Sequence, residues 1–158
     1  MRAFIFFGMA LAMKTKTVLA LCFSLLSFSA LAQSPERAGL SIGFFRIDAE
    51  VAADRESRMQ GLMNRRSMAP QQGMLFVFPE IGQHCMWMRN THIPLSVAFL
   101  DQEGRIINIE DMQPQTENNH CASRPARYAL EMNLGWFSGK GIKPGARLLG
   151  LEKLPQPR

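Results

Sequence analysis

Between Phe45 and Val51 the chain alternates apolar and polar residues as Phe, Arg, Ile, Asp, Ala, Glu, Val. A period of two puts the apolar set on one face and predicts a half-buried strand. Asp54 then offers an oxygen to cap a helix, and Met59, Leu62 and Met63 recur at helical spacing through a charged stretch as far as Arg65. One short amphipathic helix fits there. Pro70 to Gly73 is turn material, and Met74-Leu75-Phe76-Val77-Phe78 is a continuous apolar run stopped by Pro79, as in a buried strand. Further strands are predicted from His84 to Thr91 and from Leu95 to Leu100. The turn Asp101 to Gly104 leads into Arg105 to Ile109 and makes an antiparallel hairpin with the strand before it. Tyr128 to Met132 and Arg147 to Leu151 read as closing strands. The polar stretch from Gln113 to Pro125 is long for a loop, so it is either functional or tied down by Cys121. With no βαβ alternation, repeat or heptad, the pattern predicts a mainly β fold, a compact antiparallel β sandwich or barrel-like domain with one short N-terminal helix.

Composition adds the compartment. The 158 residues suffice for one domain, and 47% hydrophobic with 20% charged residues, 12 Gly and 9 Pro excludes a disordered or fibrous chain. Lys14 and Lys16 precede an uncharged apolar stretch from Val18 that closes with Ala30-Leu31-Ala32, the pattern of a secretory signal peptide with an A-x-A cleavage site. That stretch is shorter than the roughly 20 residues that span a bilayer, so no permanent membrane anchor is expected. Leu21 before Cys22 does not suit a lipoprotein signal, and Cys22 leaves with the leader. Residues 3–11 are apolar where a leader is normally basic, which favours a translation start at Met13 over Met1, with residues 1–12 then an upstream extension. Residues 33–39 then read as a short polar linker and 40–154 as a single β domain in a periplasmic or secreted protein. Of the 18 Lys and Arg, three precede residue 33, leaving 15 against 13 Asp and Glu without a basic run; no nucleic-acid partner is implied.

Export also bears on Cys85 and Cys121, the two cysteines after the leader. In an oxidising compartment they are expected to form one disulfide, with Cα atoms about 4.4 to 6.8 Å apart; two buried free thiols are the alternative. Strand alternation through His84 to Thr91 puts Cys85, Trp87, Arg89 and Thr91 on one side and His84, Met86, Met88 and Asn90 on the other. Trp87 beside Arg89 joins an aromatic plate to a bidentate donor, suited to a sugar ring or a small anion. Trp87, Arg89 and Thr91 form the candidate ligand-binding face, with Arg65 or Glu131 as candidates to converge on it. The competing arrangement has Trp87 capping the core and Arg89 paired with Glu131 or Glu110.

Other chemistries find less in the residues. His84, Cys85, Met86, Met88 and His92 crowd together and raise copper(I) binding, but alternation divides them between two faces and methionine also serves as adaptable core packing. No phosphate loop, nucleophile elbow or metalloprotease motif occurs. A disulfide would take from Cys121 the thiolate that pairing with His120 requires. Glu110 with Glu131 leaves a glycosidase-like pair open. No catalytic residue, metal ligand or cofactor is assigned on these grounds.

Gly61-Leu62-Met63, Arg65, Gly73 to Phe78, Met86-Trp87-Met88-Arg89-Asn90-Thr91, Ile93-Pro94-Leu95 and Ala129-Leu130-Glu131, taken in that order, resemble the domain of unknown function 192 family over about residues 40 to 152. The resemblance implies a compact, mostly antiparallel β structure with a helix near its start and, for many members, export; it brings no assigned activity. One position departs: where the family usually carries Asp after Pro-Leu, this chain has Ser96. The expectation for function is an exported, non-catalytic binding or accessory module for a small polar or anionic ligand or a saccharide. An enzyme acting on cell-envelope carbohydrate and a copper(I)-handling protein are the alternatives.

Overall fold

A computed structural model describes residues 36–158; the expected leader, the start at Met13 and the fate of Cys22 lie outside the described residues. Two strands open the domain, β1 (Arg37–Ile42) and β2 (Phe45–Ala52), followed by helix α1 (Arg55–Gln60) and strand β3 (Gln72–Gly82). Next come β4 (Cys85–Met86), β5 (Leu95–Leu100), β6 (Ile106–Met112), β7 (His120–Cys121) and β8 (Ala126–Asn133). The chain closes with α2 (Trp136–Gly139), β9 (Leu148–Leu149) and a 3-10 turn over Leu151–Lys153.

Seven strands form one sheet in the order β6-β5-β8-β3-β2-β1-β9, and β4 pairs with β7 in a small second sheet. The large sheet curls. Past its β9 edge, Arg147 bridges to Arg105 just before β6, and Ile106 N–H donates to the Ala146 carbonyl at 2.8 Å while Leu148 N–H donates to that of Gly104, also at 2.8 Å. The two edges are thereby stitched at one end, giving a half-barrel that leaves fewer open strand edges. Gly104 makes this closure possible: its φ is +76°, and a Cβ there would lie 2.7 Å from the Leu148 carbonyl oxygen.

The mainly β, barrel-like expectation holds, with one parallel exception. β2 and β3 run parallel, which obliges the chain to cross over between them; residues 53–71, carrying α1, are that crossover, so one βαβ unit exists where the sequence pattern shows none. Asp54 caps α1 as expected, its carboxylate accepting from Ser57 N–H at 2.8 Å while its own N–H donates in return to Ser57 Oγ at 3.3 Å. The helix ends at Gly61, φ +48°, rather than reaching Arg65. Four further boundaries need correction. Arg37 to Gly39 belong to β1 and not to a linker; α2 is a second helix; the last strand keeps only Leu148–Leu149; and the expected strand His84–Thr91 keeps only Cys85–Met86. Asn90 bars a strand from running through to Thr91, since its φ of +55° is left-handed, which ladder residues do not adopt and which Asn tolerates better than most.

Both faces of the curled sheet are packed. Leu40, Ile47, Leu75, Leu100 and Leu130 fill the inside with Trp136 and Phe137 of α2. Phe76, Val97, Phe99 and Ala129 form the outer face beneath Leu62, Met88 and Ile93. This is why Met74 to Phe78 is apolar without interruption: alternate side chains serve opposite cores. The outer layer positions the candidate site.

Candidate functional site

The segment after β4 is held in place from several directions. Cys85 is disulfide-bonded to Cys121, directly opposite it across β4 and β7. Their Cα atoms are 3.9 Å apart, below the expected range; they form a non-hydrogen-bonded pair, the narrow site of an antiparallel ladder, and the adjacent Ala122 N–H donates to the His84 carbonyl at 2.8 Å. Beyond the disulfide, Met88 N–H donates to the Thr116 carbonyl at 3.0 Å and Gln115 N–H to that of Thr91 at 3.1 Å. Asn64 N–H donates to the Asn90 carbonyl at 2.8 Å, tying the segment to the crossover.

Held this way, the segment turns Met88 fully into the outer core and leaves Trp87 47% exposed. The two-face reading therefore survives at Trp87, Met88 and Arg89, although a turn and not a strand displays them, whereas Met86 is only half-buried and Thr91 is buried. The Arg89 guanidinium lies 6.0 Å from the Trp87 ring centre, the outer limit of a cation–π contact. Its ion pair is a 3.7 Å approach to Glu117, with both side chains exposed, which contributes little. Trp87 is no core cap, and Arg89 pairs with neither Glu131 nor Glu110.

Trp87, Arg89 and Phe78 face α1 across an open groove of about 1150 Å³, whose far wall includes Arg55, Arg58, Met59 and Met63. Adjoining it is a small chamber of about 30 Å³ lined by Leu62, Phe76, Met86, Thr91 and Glu131. Arg58, Met59, Gln60, Met63, Trp87 and Arg89 border both spaces. Arg58 is fixed by donating to the Ala53 carbonyl at 2.6 Å and the Val77 carbonyl at 3.1 Å. The chamber has room for about one or two water-sized groups.

Glu131 is the chemical centre of this arrangement. It is 3% exposed, stands between Met74 and Val97 on the neighbouring strands, and burial pushes its carboxyl up to about 8. At neutral pH it is protonated, able to donate one hydrogen bond and accept others. No hydrogen bond reaches it among the described residues; removal from water is the sole cause of its shift. The Thr91 hydroxyl beside the chamber makes only a long 3.4 Å bond to the Arg89 carbonyl. Thr91 and Glu131 thus bring unused donor and acceptor capacity to a recess whose other lining mixes Leu62, Phe76 and Met86 with Arg58, Gln60 and Arg89.

Of the residues expected to converge, Trp87, Arg89, Thr91 and Glu131 do so. Arg65 does not: it grips Glu50 with bonds of 2.8 and 2.7 Å and lines neither space. Glu110 accepts from Asn108 at 3.2 Å and lies two strands from Glu131, with Val97 between. Of the crowded sulfur and imidazole groups, Met86 lines the chamber and the other four have other partners. Cys85 is in the disulfide, His84 stacks on Phe78 with ring centres 3.7 Å apart, His92 bonds Gln115 at 2.9 Å and Met88 is core. The sequence reading missed Met59 and Phe78 as groove walls; Met59 has the spacing of a core stripe yet is 65% exposed.

Residues 40–150 match the sequence pattern of DUF192, described as an uncharacterized ACR family. The chain belongs to the domain of unknown function 192 family. A crystal structure of a "putative transcription regulator" from Sinorhizobium meliloti 1021 is 40% identical, with a TM-score of 0.68, covering 74% of this chain and 94% of that one. A protein of unknown function from Novosphingobium aromaticivorans DSM 12444 is 28% identical with the same TM-score, covering 74% and 93%. No curated protein matches. In this DUF192 domain the motifs that carry the family resemblance, far apart in sequence, meet at the chamber: Leu62, Phe76, Trp87, Arg89, Thr91 and Glu131 all line it. Ser96 lies away from it and accepts from Gly135 N–H at 2.8 Å.

Proposed function

We propose that this DUF192 protein is an exported, periplasmic binding module for a small polar or anionic ligand, of which a saccharide fits best. The ligand stacks on Trp87, is held through Arg89, and extends one hydroxyl-sized group into the chamber between Thr91 and protonated Glu131. The observation that carries this reading is the convergence of Trp87, Arg89, Thr91 and Glu131 on adjoining spaces with Glu131 unpartnered. An aromatic plate suits the apolar face of a sugar, a guanidinium suits an anion, and a neutral carboxyl suits a hydroxyl. Cleavage after Ala32 gives a mature chain beginning at Gln33, which an intact mass of the exported protein checks.

The binding test is a thermal-shift screen of the exported protein against sugars, small anions and copper(I), because a ligand that binds only the folded state raises the melting temperature. A sugar or anion should raise it in the parent and leave Trp87→Ala and Arg89→Ala unmoved. A shift that persists in both variants removes the site. A second reading, an enzyme on envelope carbohydrate, draws on one observation, that protonated Glu131 has the state of a general acid. Turnover of the ligand found in the screen, abolished by Glu131→Gln, would favour it.

A further inference from the structure

The hairpin joining β1 to β2 turns through Gly43 and Phe44, and Phe44 is fully exposed at its tip, where Asn, Asp or Gly is the usual choice. The tip is braced: Phe45 packs edge-on against Trp136 at 6.3 Å, and Lys140 Nζ sits 5.5 Å from the Phe45 ring and 4.9 Å from that of Trp136. Leu149, 49% exposed on β9, adds apolar surface beside it. A shallow depression of about 590 Å³ separates the hairpin from the turn at 141–147, and its lining includes Lys143 and Arg147 but no carboxylate. A projecting aromatic wedge inside a collar of cations has a specific complement.

We infer that this end of the half-barrel docks on the surface of an anionic phospholipid bilayer, Phe44 entering the boundary of the acyl chains while Lys140, Lys143 and Arg147 meet headgroup phosphates. Aromatic and basic residues combined in this way favour the bilayer interface through apolar burial and attraction to anionic lipid together. A second copy of the chain is a poor occupant, since a two-fold contact would press the cationic collar against itself. Phe45 opens β2 and the groove wall starts at Asp54 just beyond its end, so a docked domain keeps the candidate ligand groove roughly 25 Å along the strand from the lipid.

Flotation of protein recovered from the periplasmic fraction tests this with vesicles of phosphatidylcholine containing 30 mol% phosphatidylglycerol, and of phosphatidylcholine alone. The parent should float with the anionic vesicles and lose binding as salt rises. Phe44→Ser should weaken partitioning roughly tenfold to a hundredfold, from the lost apolar burial, and Lys143→Gln about fivefold. Both sites are exposed, and an unchanged melting temperature establishes that the variants fold. No binding by the parent, equal binding by Phe44→Ser, or a parent dimer that Phe44→Ser dissociates would each overturn the inference, the last assigning the tip to a second copy.

Discussion

Glu50 and Glu131 stand in register on the outer face of the sheet, with Met74 between them. Both are buried, yet they are treated oppositely. Arg65 and Arg37 close on Glu50 at 2.7 and 3.1 Å, whereas Glu131, two strands away on β8, has neither an ion pair nor a hydrogen bond among the described residues, and burial alone shifts it. A carboxyl without a partner is costly to ionise. The sheet keeps one of its two buried acids as a structural ion pair and leaves the other neutral, at the edge of the groove.

That contrast makes stability depend on pH in a definite direction. The Glu131 carboxyl lies at about 8 in the folded protein against an ordinary 4.5. Between those values the folded state holds a proton that the unfolded chain has released, so raising the pH favours unfolding; below about 4.5 the full stability is present, and it is lost as pH climbs to 8. The loss amounts to up to about 5 kcal/mol. Urea denaturation at pH 5, 6.5 and 8 should show it in the parent and not in Glu131→Gln. Parallel curves for the two proteins would reject a neutral Glu131.

Trp87 and Met88 are chain neighbours with opposite duties, and truncation separates them. Trp87→Ala should change stability by less than about 1 kcal/mol, as for exposed positions, while abolishing binding of the ligand found by thermal shift. Met88→Ala should cost about 2–5 kcal/mol. Met86→Ala should fall between, since Met86 is only partly buried. If chemical denaturation reverses the order of Trp87 and Met88, the groove face has been misassigned.

How far the sequence reveals this domain follows from which forces act locally. Alternation from Phe45, the capping residue Asp54 and the apolar run at Met74 are short-range signals, and β2, α1 and β3 appear where they point. The parallel pairing of β2 with β3 is invisible to such signals, because it is decided by the other strands competing for β3. Within the site, Trp87 and Arg89 stand out as residue types suited to recognition. Their approach to Glu131 depends on Asn90 turning left-handed and on residues 115 and 116 catching the loop, neither of which alternation encodes. Arg65 illustrates the converse: it is a plausible ligand contact by type, but Glu50 claims it.

The disulfide fixes the loop that displays Trp87. Cys85 and Cys121 are 36 residues apart, and closing a loop of that length stabilises the domain by about 4 kcal/mol on the chain-entropy model. Protein lacking residues 1–32, unfolded without reductant, should show no free thiol, and Cys85→Ser with Cys121→Ser should lower the denaturation free energy by about that amount. Ligand binding should weaken in the same double variant, because Trp87 is two residues beyond Cys85. A thiol titre of two in the unreduced protein would sink this assignment.

Ser96 offers the sharpest test of local adaptation. Its hydroxyl donates to Asp111 Oδ1 at 2.5 Å and accepts from Gly135 N–H at 2.8 Å, so this 1%-exposed residue joins β5, β6 and the start of α2. Asp111 is its direct cross-strand partner. Placing there the Asp that the family resemblance leads one to expect would still satisfy Gly135 N–H, but it would set two carboxylates opposite each other, a destabilising pair. Ser96→Asp should therefore lower stability, by roughly 1–3 kcal/mol once the lost donor is included. Asp111→Asn, by contrast, keeps an acceptor for Ser96 and should cost little. In the double variant Ser96→Asp with Asp111→Asn, the new amide can donate to the new carboxylate across the strand pair, and the two changes together should cost clearly less than their sum. A double-mutant cycle by urea denaturation measures that coupling, and additive costs would mean that Asp111 is not what makes serine the better residue at position 96.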